Sequence, residues 1–283
     1  MNANRLYNLL EKDFINPNLS DEWAKYMDEV KDYLSENFKK RSIGLVCDNS
    51  KIINKVYTAV FPTNEVMKFI LSKRTKNALL FVHHPSNWDI SKDPNVFQQM
   101  NRNLLNKFKE NKISIYNLHV PLDNFGEYST SNSLAKKLDI KNINPFGYYR
   151  GSLCGVYGKT DINTTQELSK KFKAILGHKI KLYPYGNNII KNNLIAIVAG
   201  GGNDIDMLED IKKYRINTFI TGVTSLNSYS KKAHDFAKKN KINIIGGSHY
   251  STEKFACIAM CDYFKKHGLD SVFIEGNFDL KDL

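Results

Sequence analysis

Six side chains of metal-binding or proton-moving type come in three pairs in this sequence: His83 with His84, His119 with Asp123, and His249 with Glu253. The first pair closes a short apolar run, Ala78-Leu79-Leu80-Phe81-Val82, and is followed at once by Pro85. A short apolar run without helical spacing reads as a buried strand. Proline cannot continue a ladder, so the two imidazoles fall at the strand's C-terminal tip. In open α/β sheets that tip is where ligands bind. Each of the other two pairs also follows a predicted strand. Four imidazoles and two carboxylates suit zinc, manganese, iron or cobalt, and suit magnesium and calcium poorly. Carboxylates can bridge two such ions, and metal-bound water is acidified toward a nucleophile.

Spacing sets what each pair can do. Adjacent strand residues point to opposite faces, so His83 and His84 are expected to serve two ions on either side of the tip rather than one. Pro121 lies between His119 and Asp123. It predicts a non-helical segment, which if extended puts both side chains on one face. His249 and Glu253 enter an amphipathic pattern (Phe255, Ile258, Cys261, Phe264), and a spacing of four aligns them on the first turn. Gly246-Gly247 just before them permits a tight strand-to-helix turn. His119 is open to two roles, ligand or proton carrier. The other histidines, His178, His234 and His267, stand alone and read as core or surface residues.

The elements that must position these residues alternate. Strands are predicted at 56–61, 78–82, 113–118, 194–198, 218–220, 242–245 and 271–274. Helices are predicted at 64–73 with Thr63 as cap, 94–110, 127–138, 160–176 closed by Gly177, 204–214, 229–239 and 252–266. Residues 147–156 read as a loop and a strand, and 6–12 and 22–39 as N-terminal helices, the second capped by Ser20. This rhythm predicts an α/β fold of two interleaved lobes with mainly parallel sheets and a metal cleft between them. The expected boundaries give residues 1–125 and 247–283 to the first lobe and 126–246 to the second. Gly200-Gly201-Gly202 lies between a strand and a helix; it reads first as a sharp turn and second as a phosphate cradle at a helix N-terminus.

With 283 residues, 42% of them hydrophobic, the chain can bury a substantial core. No apolar run is long enough to cross a membrane. The N-terminus lacks the basic-then-apolar pattern of a secretion signal, so cytoplasmic residence is the expectation. Four cysteines without a CxxC pair make no disulfide framework and read as small buried side chains. A net charge of +12 allows a nucleic-acid partner. The lysines are scattered at helix ends, however, which favours solvated helix faces. A DHH-type phosphoesterase would place Asp before the paired histidines, where Val82 stands.

The chain resembles the NGG-interacting-factor-three-like family, also known as GTP cyclohydrolase I type 2 homologues. The resemblance runs from Leu6 to Phe278. Its motifs are Gly44-Leu45-Val46, Val82-His83-His84-Pro85, His119 through Asp123, Ala199 through Asp204, and Gly247 through Glu253. It implies a dinuclear metal centre held by His83, His84, Asp123, His249 and Glu253, with His119 as a further ligand. It also implies a toroidal homohexamer and, for some members, hydrolytic opening of the GTP imidazole ring. The resulting expectation is a metal-dependent hydrolase of a nucleotide-like substrate, with two divalent ions and with Glu253 and His119 in catalytic roles. The alternative is a ring-shaped nucleic-acid-binding protein with a structural metal pair. Two departures bear on selectivity: the segment from Asp21 to Gly44 is long, which predicts an added helix, and Cys47-Asp48-Asn49 replaces a more glycine-rich loop.

Overall fold

The computed structural model describes residues 1–89, 96–228 and 230–283. They form two compact units: Met1–Leu122 with Cys257–Gly276, and Asp123–Ala256 with Asn277–Leu283. In chain order the first stretch carries helices α1 (Ala3–Phe14) and α2 (Glu36–Arg41), and strands β1 (Gly44–Cys47) and β2 (Lys55–Ala59). Then come α3 (Asn64–Ser72), β3 (Ala78–Val82), β4 (Asn87–Asp89), β5 (Val96–Gln98), α4 (Arg102–Glu110) and β6 (Ile113–Asn117). The short helix α5 (Val120–Asp123) leads to α6 (Thr130–Lys137), β7 (Lys141–Tyr149), β8 (Ser152–Lys159), α7 (Thr165–Leu176) and β9 (Lys181–Tyr183). The chain closes with β10 (Leu194–Val198), α8 (Ile205–Lys213), β11 (Thr218–Thr221), α9 (Lys231–Asn240), β12 (Asn243–Gly246), α10 (His249–Lys266) and β13 (Asp270–Phe273).

Among the described residues the first unit's main sheet has the order β1-β6-β3-β2-β13. Its pairs are parallel except β1 with β6. Every residue of β3 is buried, as its unbroken apolar run requires of a strand covered on both faces. The second unit's sheet has the order β7-β8-β10-β11-β12-β9. Here β10, β11 and β12 are parallel while β7, β8 and β9 run against their neighbours, so this sheet is mixed rather than mainly parallel. The caps follow the local chemistry: Thr63 accepts Val66 N–H, Asp204 accepts Met207 N–H, and Gly177 ends α7 at φ +76°.

Several elements differ from the sequence expectation, each for an identifiable reason. The helix expected over 22–39 is two 3₁₀ turns, Trp23–Tyr26 and Asp28–Tyr33, followed by α2. Ser35 breaks it, because its N–H pairs with Val46 O (2.7 Å) and its hydroxyl bonds Leu45 O while also capping Phe38. Trp23, Met27, Val30, Leu34 and Phe38 still bury together in the core, which is the source of the helical spacing. The helix expected from 94 starts at Arg102, capped by Asn101, and Val96–Gln98 pairs instead with Asn87–Asp89. Residues 94 and 95 lie outside the described residues, as does Tyr229 of the helix expected at 229–239. The loop expected near 147 is the tip of a hairpin whose turn residues, Arg150 and Gly151, both have positive φ (46° and 90°). No helix among the described residues is long and apolar enough to cross a membrane.

Candidate metal centre

The first unit's donors stand where parallel strands end together. Register pairs Ala59 with Val82 and Val82 with Asn117, so β2, β3 and β6 finish at one level. His83 N–H then bonds Ala59 O (3.2 Å), His84 N–H bonds Val60 O (2.9 Å), and Leu118 N–H bonds Val82 O (3.2 Å). The strand proper stops at Val82, and the two histidines occupy a bend. The opposite-face alternation expected of them therefore does not hold. Their rings lie 4.3 Å apart at 67°. His119 joins them, with centroids 4.7 Å from His84 and 5.3 Å from His83. Each of the three imidazoles offers one nitrogen within 4.8 Å of the others.

Backbone and aromatic neighbours hold these rings. A carbonyl can only accept, so the 2.9 Å contact of His83 Nδ1 with Leu118 O assigns the proton to Nδ1 and leaves Nε2 with its lone pair. The side-chain amide of Asn117 donates to His83 O. Phe61 stacks on His84 at 4.8 Å and 15°, and Trp23 meets His84 and His119 edge-on at 5.6 and 5.4 Å. His119 Nδ1 lies 2.8 Å from Asp21 Oδ2 and 3.0 Å from Trp23 Nε1. His83 and His84 are buried completely, and His119 nearly so. A ring with one nitrogen fixed and the other aimed among further imidazoles fits a borderline divalent ion.

The second unit repeats the principle with different materials. Val198, Thr221 and Gly246 share one level of the β10–β11–β12 sheet. After Gly247 and Ser248 the chain enters α10 at His249, whose N–H donates to Asp282 Oδ2 at 2.7 Å. The helix therefore starts three residues earlier than its apolar spacing suggests. His249 Nε2 and Glu253 Oε1 lie 3.0 Å apart, both residues buried, as the four-residue spacing predicts. Burial pushes the Asp282 carboxyl up to about 6, against the opposing pull of His249.

Gly200 forms the floor beneath Glu253. Its φ is +73°, and a Cβ there would stand 2.1 Å from Glu253 Oε1. Its N–H donates to Thr252 Oγ1 (2.9 Å), and Gly222 N–H donates to Gly200 O (2.9 Å). Gly200 is thus needed for a turn and a close approach, and Gly202 for a close approach to Val198. Asp204 accepts Met207 N–H at the following helix, so a carboxylate already stands where a phosphate would bind.

Asp123 ends the short helix α5, contrary to the expectation that Pro121 forbids one. Pro121 occupies the second position of the turn, where no intrahelical N–H is required. Thr130 hydroxyl donates to Asp123 Oδ1 at 2.8 Å. The structure thus brings together His83, His84 and His119 in one unit, and His249 with Glu253 in the other, while Asp123 is engaged by Thr130. The isolated histidines are core groups as expected in two cases: His178 stacks on Phe278, and His234 sits against Tyr183. Burial lowers the pKa of both. Asp21, Trp23, Phe61, Gly200 and Asp282 escaped the sequence reading as site residues. Gly200 alone carried a signal, through its triplet.

A strand-end cluster of buried imidazoles on a two-unit α/β fold could hold a metal ion, and sequence comparison narrows the class. The model of the Duf34/NIF3 (NGG1p interacting factor 3) family matches residues 18–278, and the chain belongs to that family. It is similar to the GTP cyclohydrolase 1 type 2 homolog of Borreliella burgdorferi, 28% identical over 88% of this chain and 92% of that protein. The Pyrococcus horikoshii protein of the same name is 28% identical over 90% of this chain and 97% of its own length. Among solved structures, reduced HcgD from Methanocaldococcus jannaschii superposes with a TM-score of 0.68 at 20% identity, covering 98% of each chain. Staphylococcus aureus hypothetical protein SA1388 gives a TM-score of 0.73 at 18% identity, over 99% of this chain and 98% of that one. These two likenesses establish the fold.

Proposed function

We propose that the protein is a metal-dependent hydrolase of a nucleotide-like substrate, and that it uses two divalent ions of the zinc, manganese, iron or cobalt type. The observation that carries this reading is the three-imidazole cluster, buried, with one ring nitrogen of His83 assigned by a backbone carbonyl. The His249–Glu253 pair and family membership support it further. His83, His84, His119 and His249 would supply nitrogen ligands, and Asp123 and Glu253 oxygen ligands. Bound ions would supply Lewis acidity toward the substrate and lower the pKa of a water molecule. The protein's own part is to keep the imidazoles neutral and aimed, to exclude solvent with Trp23 and Phe61, and to provide in Glu253 a carboxylate able to take a proton. A homohexamer in the cytoplasm is proposed on the family resemblance.

The test begins with metal analysis of protein purified without added metal, beside His84→Ala. Stoichiometric metal in the wild type and its loss in the variant are expected. A screen of GTP, other nucleotides and phosphoesters with manganese or zinc follows. Turnover abolished by a chelator and by Glu253→Gln, in protein that stays folded, supports the hydrolase. Nucleic-acid affinity that falls steeply with salt and ignores Glu253→Gln supports instead a binding role for the +12 surface.

A further inference from the structure

We infer that Asp21 is a positioning residue: it holds the proton of His119 on Nδ1 and so makes His119 a metal ligand rather than a proton donor. The inference rests on the metal reading above and assigns the role that the sequence left open. Two groups converge on His119 Nδ1, Asp21 Oδ2 at 2.8 Å and Trp23 Nε1 at 3.0 Å. They make opposite demands. A carboxylate only accepts, so it requires a proton on Nδ1; an indole N–H only donates, so it requires Nδ1 bare. The first arrangement leaves Nε2 as a lone-pair donor. The second puts the proton on Nε2, where it would repel a cation.

The carboxylate wins on energy. The Asp21 side chain is 3% exposed and that of His119 is 13% exposed, so water competes weakly. Hydrogen bonds to an ionised acceptor are about twice as strong as neutral ones. Asp21 is itself anchored, since its other oxygen accepts Glu22 N–H at 2.9 Å. Trp23 is held in the hydrophobic core, and its indole N–H is the neutral and therefore weaker partner of the same nitrogen. His83 shows the same logic in the same cluster, with Leu118 O in the accepting role. Two neighbouring rings thus present the same tautomer by different means.

Metal-free protein labelled with ¹⁵N-histidine tests the assignment directly, because long-range ¹H–¹⁵N spectra distinguish an Nδ1–H from an Nε2–H ring. The wild type is expected to show His119 as Nδ1–H, and Asp21→Ala to shift it toward Nε2–H. Zinc affinity, measured by competition with a chromophoric chelator, is expected to fall roughly 10- to 100-fold in Asp21→Ala. Asp21→Asn, whose amide oxygen still accepts, should recover part of that loss, and it keeps the test open if the alanine variant does not fold. Adding Asp21→Ala to His119→Ala should cost nothing more, since Asp21 acts through that ring. Trp23→Phe should leave the Nδ1–H signal in place. A wild-type ring protonated on Nε2, or an Asp21→Ala protein that binds zinc as tightly as the wild type, overturns the inference. A wild type that retains no zinc overturns the metal reading and the ligand role with it, while the spectrum alone still decides whether Asp21 holds the proton.

Discussion

The two units end their parallel strands in the same way and furnish those ends differently. In the first, each ring has a neighbour that restrains it: Leu118 O for His83, the Phe61 face for His84, Asp21 for His119. In the second, restraint comes from the shape of the backbone. Gly200 brings the main chain up against Glu253, and the two donors hydrogen-bond to one another. The first unit's donors are aimed in advance. The second unit's are paired through His249 Nε2 and Glu253 Oε1, so both of those atoms would be freed for an ion only if that contact opened.

The largest expected effect concerns the frame behind the rigid half. Burial pushes the Cys47 thiol up to about 12, from an ordinary value of 9.0. The unfolded chain therefore loses this proton first, and stability falls as pH rises from about 9 toward 12, by on the order of 4 kcal/mol. Denaturant titrations at pH 8 and pH 11 should show about two-thirds of that drop, roughly 3 kcal/mol, with a shallower one in Cys47→Ala. A parallel pair of curves would mean that this part of the core opens to solvent.

Next comes the glycine floor. Gly200→Ala combines a left-handed φ with a Cβ driven into Glu253 Oε1. A cost of roughly 2–4 kcal/mol is expected, from backbone strain and overpacking together, along with weaker zinc retention. Urea unfolding and metal analysis read both. If Gly200→Ala is neutral, the floor is compliant and the contrast between the halves disappears. On the other side, Phe61→Leu removes the face under His84 for about 1–2 kcal/mol. It should loosen zinc less than the loss of Asp21 does, because stacking sets the tilt of the ring and not which nitrogen carries its proton. The smallest effect is Asp282→Ala, which deletes the acceptor for the first N–H of α10 and should cost about 1 kcal/mol in thermal unfolding.

Much of this arrangement was legible because strand ends announce themselves. The apolar run 78–82 followed by Pro85 located β3 and its histidines, and Thr63, Asp204 and Gly177 behaved as their chemistry requires. What escaped depended on contacts distant in sequence. Asp21 stands 98 residues from His119, and nothing local marks it as anything but a turn carboxylate. The helix expected over 22–39 failed because Ser35 finds partners in β1, a preference that helical spacing cannot register. Pro121 misled because position within a turn, rather than presence, decides what proline forbids. His83 and His84 were assigned opposite faces by a strand rule applied one residue past the strand.

The carbonyl that grips His83 belongs to the main chain, so no point mutation can delete it. Drift at Leu118 would change a side chain and leave that imidazole aimed as before. His119 has no such insurance, since its acceptor is a replaceable side chain. Descendants of this protein could therefore retune or abandon one donor by a single substitution, while the other persists for as long as the sheet itself is inherited.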